Sequence, residues 1–293
     1  MAHNHPSGDT ARIKAAFFLN LAFTVLEVFG GIWTNSLAIL SDALHDLGDS
    51  ISLGMSWYLE NYAERGDDKR YSYGYRRYSM LSALVNTIVL IVGSLFIIWQ
   101  AVPRLIEPEP TDAQGMALFS ILGILANGLA VLRLRGGKTL NARVAAWHLI
   151  EDVLGWVAVL VVSIVLLFTD FYFLDPLLSI LITLYILFNV IKNLRRTLAL
   201  FLQAVPDEVD LEQVESRLLS IDNVRSSHHT HVWSLDGERH VLTTHLVVEQ
   251  GTTREQVECI KAEIKHLSRE LDFYHTTVEI DFEEEGCSMA EDL

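Results

Sequence analysis

Residues 41–49 read Ser41-Asp42-Ala43-Leu44-His45-Asp46-Leu47-Gly48-Asp49, and residues 147–152 read Trp147-His148-Leu149-Ile150-Glu151-Asp152. Each run contains His-x-x-x-Asp inside a long apolar stretch. On an α-helix, residues i and i+4 share a face one turn apart. Two such faces turned toward each other bring two imidazoles and two carboxylates to one point: His45, Asp49, His148 and Asp152. That donor set suits tetrahedral coordination of a borderline-soft d10 cation such as Zn2+. Magnesium asks for octahedral oxygen and retains water, so it fits poorly. Asp42 lies on the same face one turn before His45, as a hydrogen-bond partner for the ligands or a proton carrier. Asp46 points about 100° away from His45 and has no assigned role.

Around these runs lie six apolar stretches, 11–33, 37–62, 78–103, 112–133, 141–169 and 175–202. Each supplies the ~20 residues that a bilayer-spanning helix needs. An ionisable group near the bilayer centre costs at least ~2.5–3.5 kcal/mol on insertion scales, so four of them in matched pairs argue for function. Asn20, Glu27, Asn86 and Asn127 are further polar residues within spans, read as interhelical hydrogen-bonding groups. Loop charge sets the orientation. Arg65, Lys69, Arg70, Arg76 and Arg77 follow the second span, Arg133, Arg135, Lys138 and Arg143 follow the fourth, and Lys192, Arg195 and Arg196 close the sixth. The opposite side has only Arg104 in its 104–112 loop. Both termini are therefore expected in the cytoplasm. The polar 2–9 stretch before a long apolar run gives no sign of a cleavable signal, and a bacterial inner membrane is the expected location.

Composition divides the chain at about residue 205. Residues 1–205 hold 16 acids and 15 bases, whereas residues 206–293 hold 21 acids and 7 bases. An acidic chain that is 51% hydrophobic is no binder of nucleic acid through basic patches. The expected plan is an amino-terminal tail (1–10), an all-α six-span membrane domain in the lipid bilayer (11–205), and an acidic cytoplasmic domain (206–293). Two cysteines, Cys259 and Cys287, make no disulfide framework.

Within 206–293, apolar periodicity predicts a helix over 207–221 and strands over 224–235 and 240–248 around the turn at Asp236-Gly237. A helix over 253–271, capped by Thr252 or Thr253, and a third strand over 274–282 follow. An αββαβ order makes a small, ferredoxin-like α+β unit with helices over one face of a three-stranded sheet. Seven of the eleven histidines lie here. Strand alternation places His229 and His231 on one face and His228 on the other. Convergence of the strands would gather His228, His245, His275 and Asp281 into a cytoplasmic metal site. Spacing alone leaves open the other reading, solvated histidines on strand faces. His231, His3, His5 and Cys287 are lesser candidates. A thiolate at Cys287 is disfavoured in its acidic surroundings without a metal.

Taken together, the residues resemble the zinc-transporting branch of the cation diffusion facilitator family. The resemblance rests on the paired His-x-x-x-Asp, on Tyr73-Gly74-Tyr75-Arg76-Arg77 followed by Asn86, and on Asp175-Pro176. In the tail it rests on His228-His229-Thr230-His231-Val232-Trp233, on 242–245, and on His275-Thr276-Thr277-Val278-Glu279-Ile280-Asp281. It implies a homodimer that exports Zn2+ from the cytosol in exchange for protons, with Co2+ and Cd2+ as companion substrates. It further implies one transport site per protomer at His45, Asp49, His148 and Asp152. Tail zinc sites carry over onto His228, His245, His275 and Asp281, and His3 and His5 would match the amino-terminal residues that complete a partner's tail site in some relatives. The chain departs from the pattern at Ser79, where many relatives have Glu, and at Trp156, where a small residue is common. The loop after the second span has Asp67 and Asp68 but Tyr71, Tyr73 and Tyr75 in place of histidine.

Two other classes compete. A membrane zinc sensor would use the same ligands without moving the ion. An intramembrane metalloenzyme would need an open water position and a general base, and the sequence has no His-Glu-x-x-His; a transporter rather than an enzyme is the expectation.

Overall fold

A computed structural model describes residues 7–63, 67–134 and 140–282. Six long helices come first: α1 (Ser7–Thr34), α2 (Leu37–Ala63), α3 (Tyr78–Ile106), α4 (Ala113–Leu134), α5 (Leu140–Phe168) and α6 (Leu174–Phe201). All but α2 are long and apolar enough to cross a membrane. With 27 residues, α2 matches the others in length, about 40 Å at 1.5 Å per residue. Asp42, Asp46 and Asp49 are what lower its apolarity. Large apolar side chains such as Leu19, Trp99, Leu132 and Phe188 point outward, while Ser41, Ser94, Ser120, Ser163 and Thr183 are buried. That inversion of the soluble pattern suits a bundle solvated by lipid. The protein is a multi-pass membrane protein.

The chain forms two compact units; the first comprises α1–α6 up to Leu194 without the 62–80 segment. Within it, α2 is seamed to α6. Ser36 Oγ donates to Asp175 at the start of α6, and the Leu37 and Ala38 amides donate to the same carboxylate at 2.8 and 3.3 Å. Asp175 is fully buried and satisfies amides that the first turn of α2 leaves without helical partners. Ser41 and Thr183 hydroxyls meet at 2.7 Å further along. On α5, Trp156 is 1% exposed. It fits because Gly123 of α4 has no side chain: a Cβ there would stand 2.3 Å from Trp156 Cδ2. The departure at Trp156 is thus matched by a glycine on the neighbouring helix.

The second unit joins Tyr62–Met80 to Arg195–Leu293. It contains α7 (Leu211–Leu219), β1 (Val224–Ser234), β2 (His240–Val248), α8 (Arg254–Glu270) and β3 (Phe273–Phe282). Asp210 caps α7, and Thr253 rather than Thr252 caps α8 through a reciprocal box with Gln256. Sheet order is β1-β2-β3, with β1 antiparallel and β3 parallel to β2. Val214, Leu218, Ile260, Ile264 and Leu267 of the helices pack on Val232, Leu242 and Leu246 of the sheet. In the 67–78 segment, Asp68 accepts from the Arg70 and Tyr71 amides, each at 2.7 Å, and from the Tyr75 hydroxyl at 2.8 Å. Those donors, the tyrosine first, hold its carboxyl below the usual carboxylate range. Asp68 therefore works as a turn-former. Gly74, at φ 74°, lets its amide return to the Tyr71 carbonyl at 3.0 Å.

Candidate metal sites

The helical spacing of α2 and α5 does what the i, i+4 geometry requires. His148 Nε2 lies 2.6 Å from Asp49 Oδ2, and His45 Nε2 lies 3.8 Å from Asp152 Oδ1. The two imidazoles approach edge to face, with centroids 5.3 Å apart. Donor atoms of His45, Asp49 and His148 all fall within 4.8 Å of one another. Asp152 is nearly buried beside them, whereas His148 and Asp49 are half-exposed. Asp42 is buried against α5: a Cβ on Gly155 would lie 3.6 Å from its Oδ1. Glu151 turns away and accepts from the Tyr185 hydroxyl at 3.3 Å.

Asp46, which has no role in the sequence reading, is buried. Glu27 of α1 is also buried, at 1% exposed. No donor among the described residues reaches either Glu27 oxygen. The Asn20 amide meanwhile donates to the Asp46 carbonyl at 2.9 Å and to Ser50 Oγ at 3.1 Å, and Asn86 donates to Ser52 Oγ at 2.8 Å. The expected interhelical role fits Asn20 and Asn86. Glu27, expected to play the same part, makes no such bond among the described residues.

The tail cluster arises from register. His228 on β1 stands opposite His245 on β2, and His245 stands opposite Glu279 on β3. His245 Nδ1 is 3.2 Å from Asp281 Oδ2, His228 Nε2 is 3.7 Å from the same oxygen, and His245 Nε2 is 3.6 Å from Glu279 Oε2. His228, His245 and Asp281 place donor atoms within 4.8 Å of one another. His228 Nε2 is buried without a hydrogen-bond partner, a donor atom that a cation would satisfy. Together the two imidazoles and the carboxylate fit a Zn2+ site, and Glu279 supplies a fourth oxygen nearby.

The structure does not bring His275 to this cluster. It pairs with Val241, its Nε2 lies 3.2 Å from Thr277 Oγ1, and its ring packs 5.9 Å from that of Tyr73. Six residues separate it from Asp281 on one strand, about 20 Å of extended chain, so one ion cannot touch both. Simple alternation also fails on β1. Between His228/His245 and His231/Thr243 the strand carries one extra residue, and His229 takes φ 48°. This bulge resets the faces and leaves the His229 ring 5.6 Å from His245. His231 sits beyond the bulge, opposite Thr243. His3, His5 and Cys287 lie outside the described residues.

Histidine and aspartate donors gathered between long lipid-facing helices define a class, the membrane proteins that handle divalent metal ions. Comparison with known proteins narrows it. The family model for the cation efflux transmembrane domain matches residues 13–202, and that for the cation efflux protein, cytoplasmic domain, matches 206–283. The chain belongs to the cation efflux, or cation diffusion facilitator, family, whose members are transporters and not enzymes. Its relatives include the zinc transporter ZitB of Pectobacterium atrosepticum, 33% identical across 99% of this chain and 92% of its own. The metal cation efflux system protein CzcD of Cupriavidus metallidurans is 32% identical, with the same coverage of each chain. A cadmium, cobalt and zinc/H(+)-K(+) antiporter of Bacillus subtilis is 32% identical across 97% of this chain and 93% of its own.

Proposed function

We propose that the protein exports Zn2+ from the cytosol in exchange for protons, with His45, Asp49, His148 and Asp152 as transport ligands. One observation carries the reading: each histidine of the pair meets the aspartate of the opposite helix, at 2.6 Å for His148–Asp49 and 3.8 Å for His45–Asp152. With protons on both imidazoles, two ion pairs close the site without metal. Zinc needs the same nitrogen lone pairs and carboxylate oxygens, so metal and protons exclude each other. Zinc affinity falls as pH falls, and histidine, with an unperturbed pKa of ~6.5, suits that exchange near neutral pH. Asp42, one turn from His45, stands by to pass protons. Helix rocking about the fixed site would expose it to each side in turn.

The relatives' names support a divalent transition metal as cargo, with cadmium and cobalt beside zinc. Copper would win on raw affinity, so selectivity rests on tetrahedral geometry and on which metal is free in the cell. The basic loops keep both termini cytoplasmic in a bacterial inner membrane. In a homodimer, the excess of 21 acids over 7 bases makes the tails repel each other. Zinc at His228, His245 and Asp281 relieves that repulsion and draws them together.

The test is zinc uptake into proteoliposomes under an imposed pH gradient, wild type beside Asp49→Ala. Uptake that needs the gradient and disappears in the variant is the expected result. Zinc binding without flux in the wild type would instead make the protein a sensor. Flux that survives in Asp49→Ala would put the transport site elsewhere.

A further inference from the structure

We propose that the 67–78 segment and the end of β1 form a binding pocket for the phosphate headgroup of an anionic lipid. A cavity of about 320 Å3 is lined by Arg70, Arg76 and Arg77 together with Tyr73, Tyr78 and Trp233. No acid lines it among the described residues, although the 206–293 stretch that supplies Trp233 holds three acids for each base. Asp68, the acid bonded to the Arg70 amide, has both oxygens committed to turn amides and to the Tyr75 hydroxyl. The three guanidinium groups make no ion pair with a carboxylate among the described residues. Arg76 is held with its Cζ 5.2 Å from the Tyr274 ring centroid, and its Nη1 is buried with no hydrogen-bond partner. A fixed guanidinium with an unused N–H, next to two more and to tyrosine hydroxyls, matches a tetrahedral oxyanion with several acceptor oxygens.

Position selects the lipid. Tyr78 is the first residue of the membrane-length helix α3, and Gln203, also on the cavity wall, lies two residues past the end of α6. Tyrosine and tryptophan at the ends of spans sit at headgroup depth, and basic pockets there on the cytoplasmic side suit anionic headgroups. A phosphate bound there would tie the 67–78 segment to β1 by charge-assisted hydrogen bonds.

Native mass spectrometry of the full chain in neutral detergent tests this, with phosphatidylglycerol and phosphatidylcholine at equal concentration. The wild type is expected to retain phosphatidylglycerol in preference. Arg76→Gln weakens that retention about fivefold, as removing one base near an anionic surface does, and leaves phosphatidylcholine unchanged. Arg70→Gln, at an exposed side chain whose Cζ lies 5.6 Å from the Tyr71 ring centroid, does the same. Undisturbed tail zinc affinity in both variants reports the fold. Wild-type retention of phosphatidylglycerol in both variants would overturn the proposal. Displacement of the lipid by millimolar inorganic phosphate would overturn the lipid assignment in favour of free phosphate.

Discussion

In the membrane unit, His45 and Asp49 stand one turn apart on α2, and His148 and Asp152 one turn apart on α5, so two helices meeting once complete the set. In the tail, His228, His245 and Asp281 come from three different strands, and their meeting depends on one antiparallel register, one parallel register and a bulge. The ligand chemistry is the same; the number of independent alignments is not. The membrane set also differs in cost. Its carboxylates lie where an unpaired charge is expensive, whereas the tail cluster sits on a solvated acidic sheet. On the proposed reading, the first arrangement serves a site that must empty and refill, and the second a site that holds an ion as part of a surface.

The comparison would break first at Asp49. Asp49→Ala is expected to abolish gradient-driven zinc flux, while a joint His228→Ala, His245→Ala and Asp281→Ala variant still transports at saturating zinc. Equal loss of flux in both would mean that the tail ligands belong to the transport step. A finer probe is His45→Asp. Replacing imidazole by a harder oxygen donor shifts preference toward harder ions, so the preference for zinc over manganese in competition uptake should drop by about an order of magnitude. Unchanged discrimination would remove this site as the filter.

In the tail the same logic separates residues that the sequence treated alike. In an Asp49→Ala background, zinc titration of the full chain should show His245→Ala losing at least the ~10–100-fold that removal of a supporting partner costs at a metal site. His275→Ala should leave that affinity unchanged. A matching loss at His275 would show that β3 shifts its register when metal binds.

These variants also mark where the sequence was readable. Five of the six helices were visible from apolar length alone, whereas α2, interrupted by Asp42, His45, Asp46 and Asp49, shows as an amphipathic stretch. Within each helical pair the backbone fixes the geometry of His and Asp, so only the choice of helix partner had to be inferred. The tail elements were legible from alternation and from a cap at Thr252 or Thr253, although α7 begins at Leu211, four residues after the expected start at 207, because Asp210 caps it. Register was not. Nothing in His228-His229-Thr230-His231 announces that His229 adopts φ 48°, and without that bulge the faces come out wrong. Likewise the sequence reading takes His275 on β3 as a ligand and passes over Glu279, until pairing with β2 sets Glu279 beside His245.

Packing offers a smaller test of the same contrast. The membrane unit is held by close helix contact, so Gly123→Ala, whose Cβ would stand 2.3 Å from Trp156 Cδ2, must shift a buried indole. Overpacking of this kind costs ~1–3 kcal/mol, and the thermal midpoint of the detergent-solubilised protein should fall accordingly. An unchanged midpoint would mean that α4 and α5 yield more easily than their contact suggests.

The tail should be the more forgiving unit, and Glu270 is the place to see it. Arg217 on α7 and Glu270 at the end of α8 form a two-pronged bridge, at 3.1 and 2.7 Å. The guanidinium holds the Glu270 carboxyl below its ordinary value. A carboxyl depressed by folding lends stability above its ordinary titration range and loses it as pH falls through its folded value. The stabilisation is therefore present at neutral pH and gone in acid. Because both groups are solvent-exposed, its size is small. Hydrogen exchange of the α7 amides in the full chain should be slightly faster in Glu270→Gln than in wild type at pH 7, and the two should converge once the wild-type carboxyl is protonated. A large difference at pH 7, or one that persists in acid, would mean that α7 and α8 depend on this surface pair more than on Val214, Leu218, Ile260 and Ile264 packing beneath them. The tail would then be held by charge, and the contrast with the close-packed membrane helices would be sharper than their ligand clusters alone imply.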